Sequence, residues 1–181
     1  MSIAKRCIPD YYFESIYAVD YQMLKEQGIN TLFFDLDNTL IPYDEVEMDS
    51  RTTDFINALL EDFKVVIISN SGYQRVSRAV KKYPFVWHAA KPLKMGFKCA
   101  LKKTGETRDK VALLGDQLVT DILGGSRFGC QTILVNPVKR SSDRWMTKMN
   151  RLMERRVIRR IKKRYPSLFD ERLKQYVEST L

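Results

Sequence analysis

The stretch Thr31–Leu40, TLFFDLDNTL, decides the fold. Leu32, Phe33 and Phe34 form a short apolar run without polar alternation, the pattern of a strand buried on both faces of a parallel sheet. Asp35 and Asp37 follow two residues apart, then Asn38 and Thr39. Strand alternation places both carboxylates on one side of the strand's end. Two anions that close repel each other, and a divalent cation between them removes the repulsion. Mg²⁺ takes such oxygen ligands and typically bridges carboxylates to a substrate phosphate. The pair therefore suits attack on phosphorus, with Asp35 as nucleophile and Asp37 protonating the leaving oxygen. Taken alone, the same residues also read as a polar turn after a strand.

On either side of this strand the chain alternates helix and strand. Asp20 reads as a helix N-cap and Gly28 as the residue that closes that helix. Asp49 or Ser50 caps a helix with Phe55, Leu59, Leu60 and Phe63 at helical spacing. Lys64–Ser69 is a second buried strand, and Tyr73, Val76 and Val80 mark a helix after the turn at Asn70–Gly72. Phe85–Ala89 is a short third strand, and Gly96–Thr104 a helix closed by Gly105. Lys110–Gly115 is a fourth strand, Thr120–Phe128 a helix ended by Gly129, and Thr132–Val135 a fifth strand. Such alternation predicts an α/β fold with a doubly wound, mainly parallel sheet, in which ligands bind at the carboxyl ends of strands.

Chemistry-bearing residues sit at four of those ends. Beyond Asp35 and Asp37, the second strand offers the Ser69 hydroxyl, Asn70 and the backbone amides of a helix start, a phosphate cradle. Lys91 follows the third strand as a point charge for the nucleophile and the phosphate oxygens. Asp116 and Asp121 follow the fourth as further oxygen ligands for a cation. Each has a bland reading: a turn serine, a solvated lysine, two acids favouring a helix N-terminus. Their order, each after an apolar strand, favours a Mg²⁺-assisted phosphotransferase site.

Composition sets the outer bounds. The 181 residues are 29% charged and 44% apolar, ordinary for a globular chain. No apolar run is long enough to span a bilayer, and the first ten residues lack the apolar stretch of a signal peptide. Cys7, Cys99 and Cys130 are odd in number and widely spaced, which fits reduced thiols in the cytoplasm. Residues 1–30 are an aromatic-rich lead-in with Tyr11, Tyr12, Phe13, Ile16 and Tyr17, expected to pack on the core formed by 31–138. The net charge of +9 is concentrated in the extension 139–181. Lys139–Arg164 carries twelve Lys or Arg against Asp143 and Glu154, a net +10 that leaves −1 for the rest.

The motifs DLDNTL (Asp35–Leu40), ISN (Ile68–Asn70), the lysine of AKP (Ala90–Pro92) and GDQLVTD (Gly115–Asp121) together resemble those of haloacid dehalogenase (HAD) superfamily phosphatases. The resemblance spans about Thr31–Pro137. With the basic RLMERRVIRRI tail (Arg151–Ile161) it narrows to the YqeG-type group (subfamily IIIA), linked to phosphatidylglycerophosphate dephosphorylation. Ser71-Gly72 depart from the further polar residues, such as Asn, that relatives commonly carry there. The resemblance implies a Rossmann-like core and an aspartyl-phosphate on Asp35. It implies Asp37 acting as acid and then as base for water. Mg²⁺ would be held by Asp35, the Asp37 carbonyl, Asp116 and Asp121, the last directly or through water. Ser69, Asn70 and Lys91 would serve the phosphate and Thr39 the loop. His88 is expected to be structural or solvent-exposed, not a general base.

HAD enzymes often insert a cap after the first or second motif. Ile41–Phe63 is 23 residues and Asn70–Ala90 is 21, each consumed by ordinary core elements, so no cap is expected. An open site suits a phosphate presented on a lipid bilayer, nucleic acid or protein. In the tail, Trp145, Met149, Leu152 and Met153 share a helical face, and Val157, Ile158 and Ile161 continue it on a drifting stripe. This pattern reads as an interfacial helix on an anionic membrane, as a helix packed on the core, or as a nucleic-acid-binding element. After Pro166, Ser167 and Asp170 predict a capping-box start for one last helix. The expectation is a Mg²⁺-dependent phosphomonoester hydrolase acting on phosphatidylglycerophosphate, cytoplasmic or peripheral on the membrane's inner face. The alternatives are a nucleic-acid, protein or small-molecule phosphatase, or a nucleic-acid- or ribosome-binding protein with a vestigial HAD site.

Overall fold

Leu32, Phe33 and Phe34 are fully buried at the centre of a six-stranded, all-parallel sheet. The computed structural model describes residues 2–142 and 145–180, with the side chains of 145–148 outside that description. In chain order the elements are α1 (Ile3–Arg6), β1 (Tyr11–Phe13), α2 (Tyr21–Glu26), β2 (Thr31–Phe34), α3 (Ser50–Leu59), β3 (Lys64–Ile68) and α4 (Tyr73–Val80). Then come β4 (Phe85–Val86), α5 (Lys94–Thr104), β5 (Val111–Gly115), a π-helical turn at Leu118–Ile122, α6 (Leu123–Phe128) and β6 (Gln131–Val135). The chain ends in α7 (Trp145–Arg164), α8 (Pro166–Arg172) and α9 (Lys174–Thr180). The strand order β1-β6-β5-β2-β3-β4 reverses direction at β2, whose neighbours are β3 and β5. That is the switch point where doubly wound sheets open a ligand crevice.

Strand alternation assigns the faces. Leu32, Phe34, Val65, Ile67 and Leu114 face one layer, packed against Leu24, Ile56 and Val76 of α2, α3 and α4. Phe33, Val66, Ile68 and Leu113 face the other, against Phe97 and Ala100 of α5 and Phe128 of α6. Burying a side chain such as Phe33 stabilises the fold by roughly 1.5–3 kcal/mol. A third cluster joins α1 and Leu134 to Ile158, Ile161, Phe169, Leu173 and Tyr176 of the C-terminal helices.

Several local expectations change. Within the aromatic-rich lead-in, Tyr11–Phe13 forms an edge strand that was not expected, paired with Ile133–Val135 of β6. The third strand stops at Val86, because His88 and Ala90 have φ of 44° and 54°, which a strand cannot accommodate. Helix α5 begins at Lys94, and the helix expected over Thr120–Phe128 opens with the π-helical turn. Phe63 lies beyond the end of α3, and Leu60 is exposed. Ser167 is not a cap: Pro166 occupies the first turn after Tyr165, and the last helical stretch breaks at Leu173 into two. The segments after β2 and β3 fold into a loop with α3 and into α4 with β4, so neither forms a cap. Among the described residues no helix is long and apolar enough to cross a membrane.

Candidate active site

The loop after β2 is shaped by Asn38, which takes a left-handed φ of 65°, a conformation that Asn tolerates better than most residues. Its amide donates to the Ile41 carbonyl at 2.7 Å, and Leu40 closes back on Leu36 at 3.0 Å. This turn brings Thr39 under Asp35: its hydroxyl lies 3.2 Å from Asp35 Oδ2 and 3.4 Å from Asp116 Oδ1.

Lys91 is presented by the strained backbone at His88 and Ala90. It is buried, with Nζ 2.5 Å from Asp35 Oδ1 and 2.6 Å from Asp121 Oδ1. Asp121 Oδ2 accepts the Gln117 amide at 3.1 Å and the Thr120 hydroxyl at 3.2 Å. Burial works to lower the Lys91 pKa, but Asp121 and Asp35 outweigh it and hold the ammonium above its ordinary value. Burial pushes the Asp35 carboxyl well up, and the charges of Asp121, Asp116 and Asp37 push the same way against the pull of Lys91. The site thus crowds carboxylates beyond what its lysine offsets. Asp35, Asp116 and Asp121 are all buried and offer oxygens within 4.8 Å of one another. Their all-oxygen, acid-rich donor set fits a hard divalent cation such as Mg²⁺.

Asp37 lines the same cleft, held by partners that the sequence did not announce. Its Oδ2 accepts the hydroxyls of Ser69 at 3.0 Å and Ser71 at 2.7 Å, and Arg75 of α4 pairs with Oδ1 at 3.0 Å. Arg75 also donates to the carbonyls of Pro42 and Glu45 and lies over the Tyr43 ring. The Ser69 hydroxyl also accepts the Ser71 amide at 3.0 Å. Asn70 spends its side chain on the Lys91 backbone, accepting its N–H at 2.7 Å and donating to its carbonyl at 3.1 Å. Ser69 and Asn70 are therefore placed to hold Asp37 and Lys91. His88 is exposed, borders the cleft beside Gly72 and packs edge-on against Trp87.

Asp35, Asp37, Asn70, Lys91 and Thr120 line an open cleft of about 290 Å³. Its far wall is the C-terminal helix: Asn150 borders the cleft and bonds Gln117 at 3.2 Å. Arg151, the next residue, and Glu154, one turn further, are buried against Asp116 and Leu118. Met149, Leu152 and Met153 of the expected apolar stripe point to solvent, while Ile158 and Ile161 point inward. Trp145, its first member, has a side chain outside the described residues.

A buried carboxylate at the switch point, a bridging lysine and an acidic cluster after the next strand are the arrangement of a phosphoryl-transferring Rossmann-like hydrolase. Residues 88–151 match the HAD-hydrolase-like family, and residues 1–83 the mitochondrial PGP phosphatase family. The chain is 34% identical to the probable phosphatase YqeG of Bacillus subtilis over 165 residues, covering 90% of this chain and 95% of that protein. It is 32% identical to the chloroplastic phosphatidylglycerophosphate phosphatase 1 of Chlamydomonas reinhardtii over 162 residues. That match covers 81% of this chain and 59% of the longer algal protein. A predicted HAD-like hydrolase from Porphyromonas gingivalis shares the fold, with a TM-score of 0.51 at 14% identity over 70% of this chain and 98% of that one. The chain belongs to the HAD superfamily, as a phosphatase of the YqeG type.

Proposed function

We propose that this phosphatase removes the terminal phosphate of phosphatidylglycerophosphate at an anionic membrane surface, through an aspartyl-phosphate on Asp35. Asp35 attacks phosphorus while Asp37 gives a proton to the departing glycerol oxygen. Asp37 then takes a proton from the water that releases phosphate. Lys91 keeps Asp35 oriented and offsets charge on the phosphate oxygens. Ser69 exchanges its bond to Asp37 for a phosphate oxygen, and Asn70 serves the phosphate through Lys91. Asp35, the Asp37 carbonyl, Asp116 and Asp121 would hold Mg²⁺, which would supply charge neutralisation and a template for in-line attack.

The observation that carries the lipid reading is the uncapped cleft, together with exposed apolar side chains that neighbour its lining residues Gly72, His88 and Lys91 in sequence. Tyr73 and Trp87, which lead out of the turns after β3 and β4, are 55% and 47% exposed, and their rings meet edge-on at 5.8 Å. Leu93 and Met95, just past Lys91, are exposed as well. Aromatic and Met side chains beside a site suit a substrate drawn partly from an interface. The algal relative's activity and the PGP phosphatase match support the same substrate. The enzyme would then work from the cytoplasm as a peripheral protein on the membrane's inner face.

The test is phosphate release with Mg²⁺ or EDTA from phosphatidylglycerophosphate in anionic vesicles, from p-nitrophenyl phosphate and from a 5′-phosphorylated oligonucleotide. Turnover of the lipid that needs Mg²⁺ and disappears in Asp35→Asn is expected. Replacing Tyr73 and Trp87 by Ser should lower lipid turnover and spare the soluble ester. Release from the oligonucleotide with none from the lipid would replace the lipid reading with a nucleic-acid one.

A further inference from the structure

We infer that Arg151 is a positioning residue of the metal site, a guanidinium delivered by α7 that fixes one oxygen of Asp116 and leaves the other to the cation. The inference rests on the Mg²⁺ reading above and concerns a residue outside all four motifs.

Arg151 is 5% exposed and Asp116 is fully buried. One terminal nitrogen of the guanidinium pairs with Asp116 Oδ2, and the other donates to the Asp116 carbonyl at 2.8 Å. Side chain and backbone of one residue are thus gripped by a single planar group, a geometry that Lys cannot reproduce. The remaining oxygen, Oδ1, lies on the Thr39 side, where the same hydroxyl reaches Asp35. Asp116 is therefore turned so that its second oxygen faces the nucleophile.

The guanidinium is itself braced. Glu154 Oε2 lies 3.4 Å from Arg151, the Tyr176 hydroxyl on α9 lies 3.4 Å away, and Glu154 Oε1 accepts the Leu118 amide at 2.7 Å. Glu154 and Arg151 together hold both ends of the Asp116–Leu118 segment to the C-terminal helices. A cation beside a metal-binding carboxylate could instead merely compete for it. Two features decide for positioning: Arg151 pairs with Asp116 Oδ2 while Oδ1 lies on the Thr39 side, and it also bonds the backbone, which a competitor for charge has no need to do. Partners that orient metal ligands typically carry about 10–100-fold in metal affinity or activity.

The experiment is a calorimetric titration of Mg²⁺ into the full chain. Arg151→Met should weaken binding about 10–100-fold, and Arg151→Lys should restore part of that loss. Glu154→Gln, which at pH 8 removes the carboxylate charge that braces Arg151, should weaken binding to a smaller degree and serves alone should Arg151→Met fail to fold. Ile161→Ala perturbs helix packing away from Asp116 and should leave Mg²⁺ affinity unchanged. Unchanged or tighter binding in folded Arg151→Met, or in Glu154→Gln where it stands alone, overturns the inference. So does an equal loss in Ile161→Ala, which would make the effect one of helix docking. Wild-type protein that binds no Mg²⁺ instead removes the metal reading on which the inference stands.

Discussion

Arg75 pairs with Asp37 at 3.0 Å, so the proposed acid–base carboxylate is held between a guanidinium from α4 and the hydroxyls of Ser69 and Ser71. The same arginine ties down the loop after Asp35 through the carbonyls of Pro42 and Glu45. Without it, Asp37 loses a fixed direction and the loop loses its clamp. Misplacing a catalytic group by about 1 Å costs as much as 10²-fold. Arg75→Met is expected to lower kcat on p-nitrophenyl phosphate by about one to two orders of magnitude on that scale. Arg75→Lys should recover little, since one ammonium cannot serve a carboxylate and two carbonyls. Steady-state kinetics with circular dichroism checks this; full activity in Arg75→Met would show the pair to be incidental.

Gly115 ends β5 directly against Asp121. A Cβ built there would stand 2.5 Å from both Asp121 Cβ and Cγ and 2.7 Å from Oδ2, closer than atoms can approach. Asp121 would have to shift, taking with it the partner of Lys91 and hence the seat of Asp35. Gly115→Ala should destabilise the fold by about 1–3 kcal/mol, the usual cost of overpacking. It should also weaken Mg²⁺ binding more than a core change of equal stability cost, such as Ile133→Val. Thermal melts with and without Mg²⁺ read both effects, since a ligand that binds only the folded state raises the midpoint.

The sheet and its strand-end acids were legible because β2, β3 and β5 are buried on both faces and therefore read as unbroken apolar runs. Each motif then follows from where a strand stops. Tyr11–Phe13 escaped that logic: it is a three-residue, half-buried edge that pairs, among the described residues, with β6 alone, more than a hundred residues away. Its signal was β-propensity alone, three aromatics after Pro9. Arg75 and Arg151 escaped for another reason, since helices fix spacing along a face but not what the face will meet. For Arg151 a sign was present. Arg151, Glu154, Ile158 and Ile161 share one helical stripe, and an acid in line with isoleucines within a basic run marks an inward face. The stripe of Met149, Leu152 and Met153 looked more apolar, yet it is the one left in solvent.

The cysteines separate sharply by burial. Burial pushes the thiols of Cys7 and Cys130 up to about 12, whereas Cys99 on α5 is exposed. Because the thiolate is the reactive form, the two buried thiols should be inert at pH 8. Ellman's reagent is expected to titrate one thiol in the native protein and three in denaturant, and none in native Cys99→Ser. Fast reaction of a second native thiol would contradict the packing of Cys7 beneath α7 or of Cys130 under α6.

Glu154 gives stability a pH dependence of unusual sign. Burial raises its pKa from an ordinary 4.5 to about 7, with Asp116 adding to the rise and Arg151 and the Leu118 amide opposing it. Between those two values the folded state keeps a proton that the unfolded chain gives up. Stability contributed by this group is therefore complete below pH 4.5, falls as pH rises toward 7 and is level above it. The total is at most a few kcal/mol, at about 1.4 kcal/mol per pH unit separating the two states. Carboxylates such as Asp49, held low by its bonds to Thr52, act in the opposite sense, so the absolute profile mixes both. The difference between wild type and Glu154→Gln isolates the term, because Gln carries no proton to lose. Urea unfolding in metal-free buffer should show wild type losing stability relative to Glu154→Gln from pH 4.5 to 7. A flat difference, or a relative gain for wild type as pH rises, would mean that Glu154 is ionised throughout and that Arg151 prevails over burial.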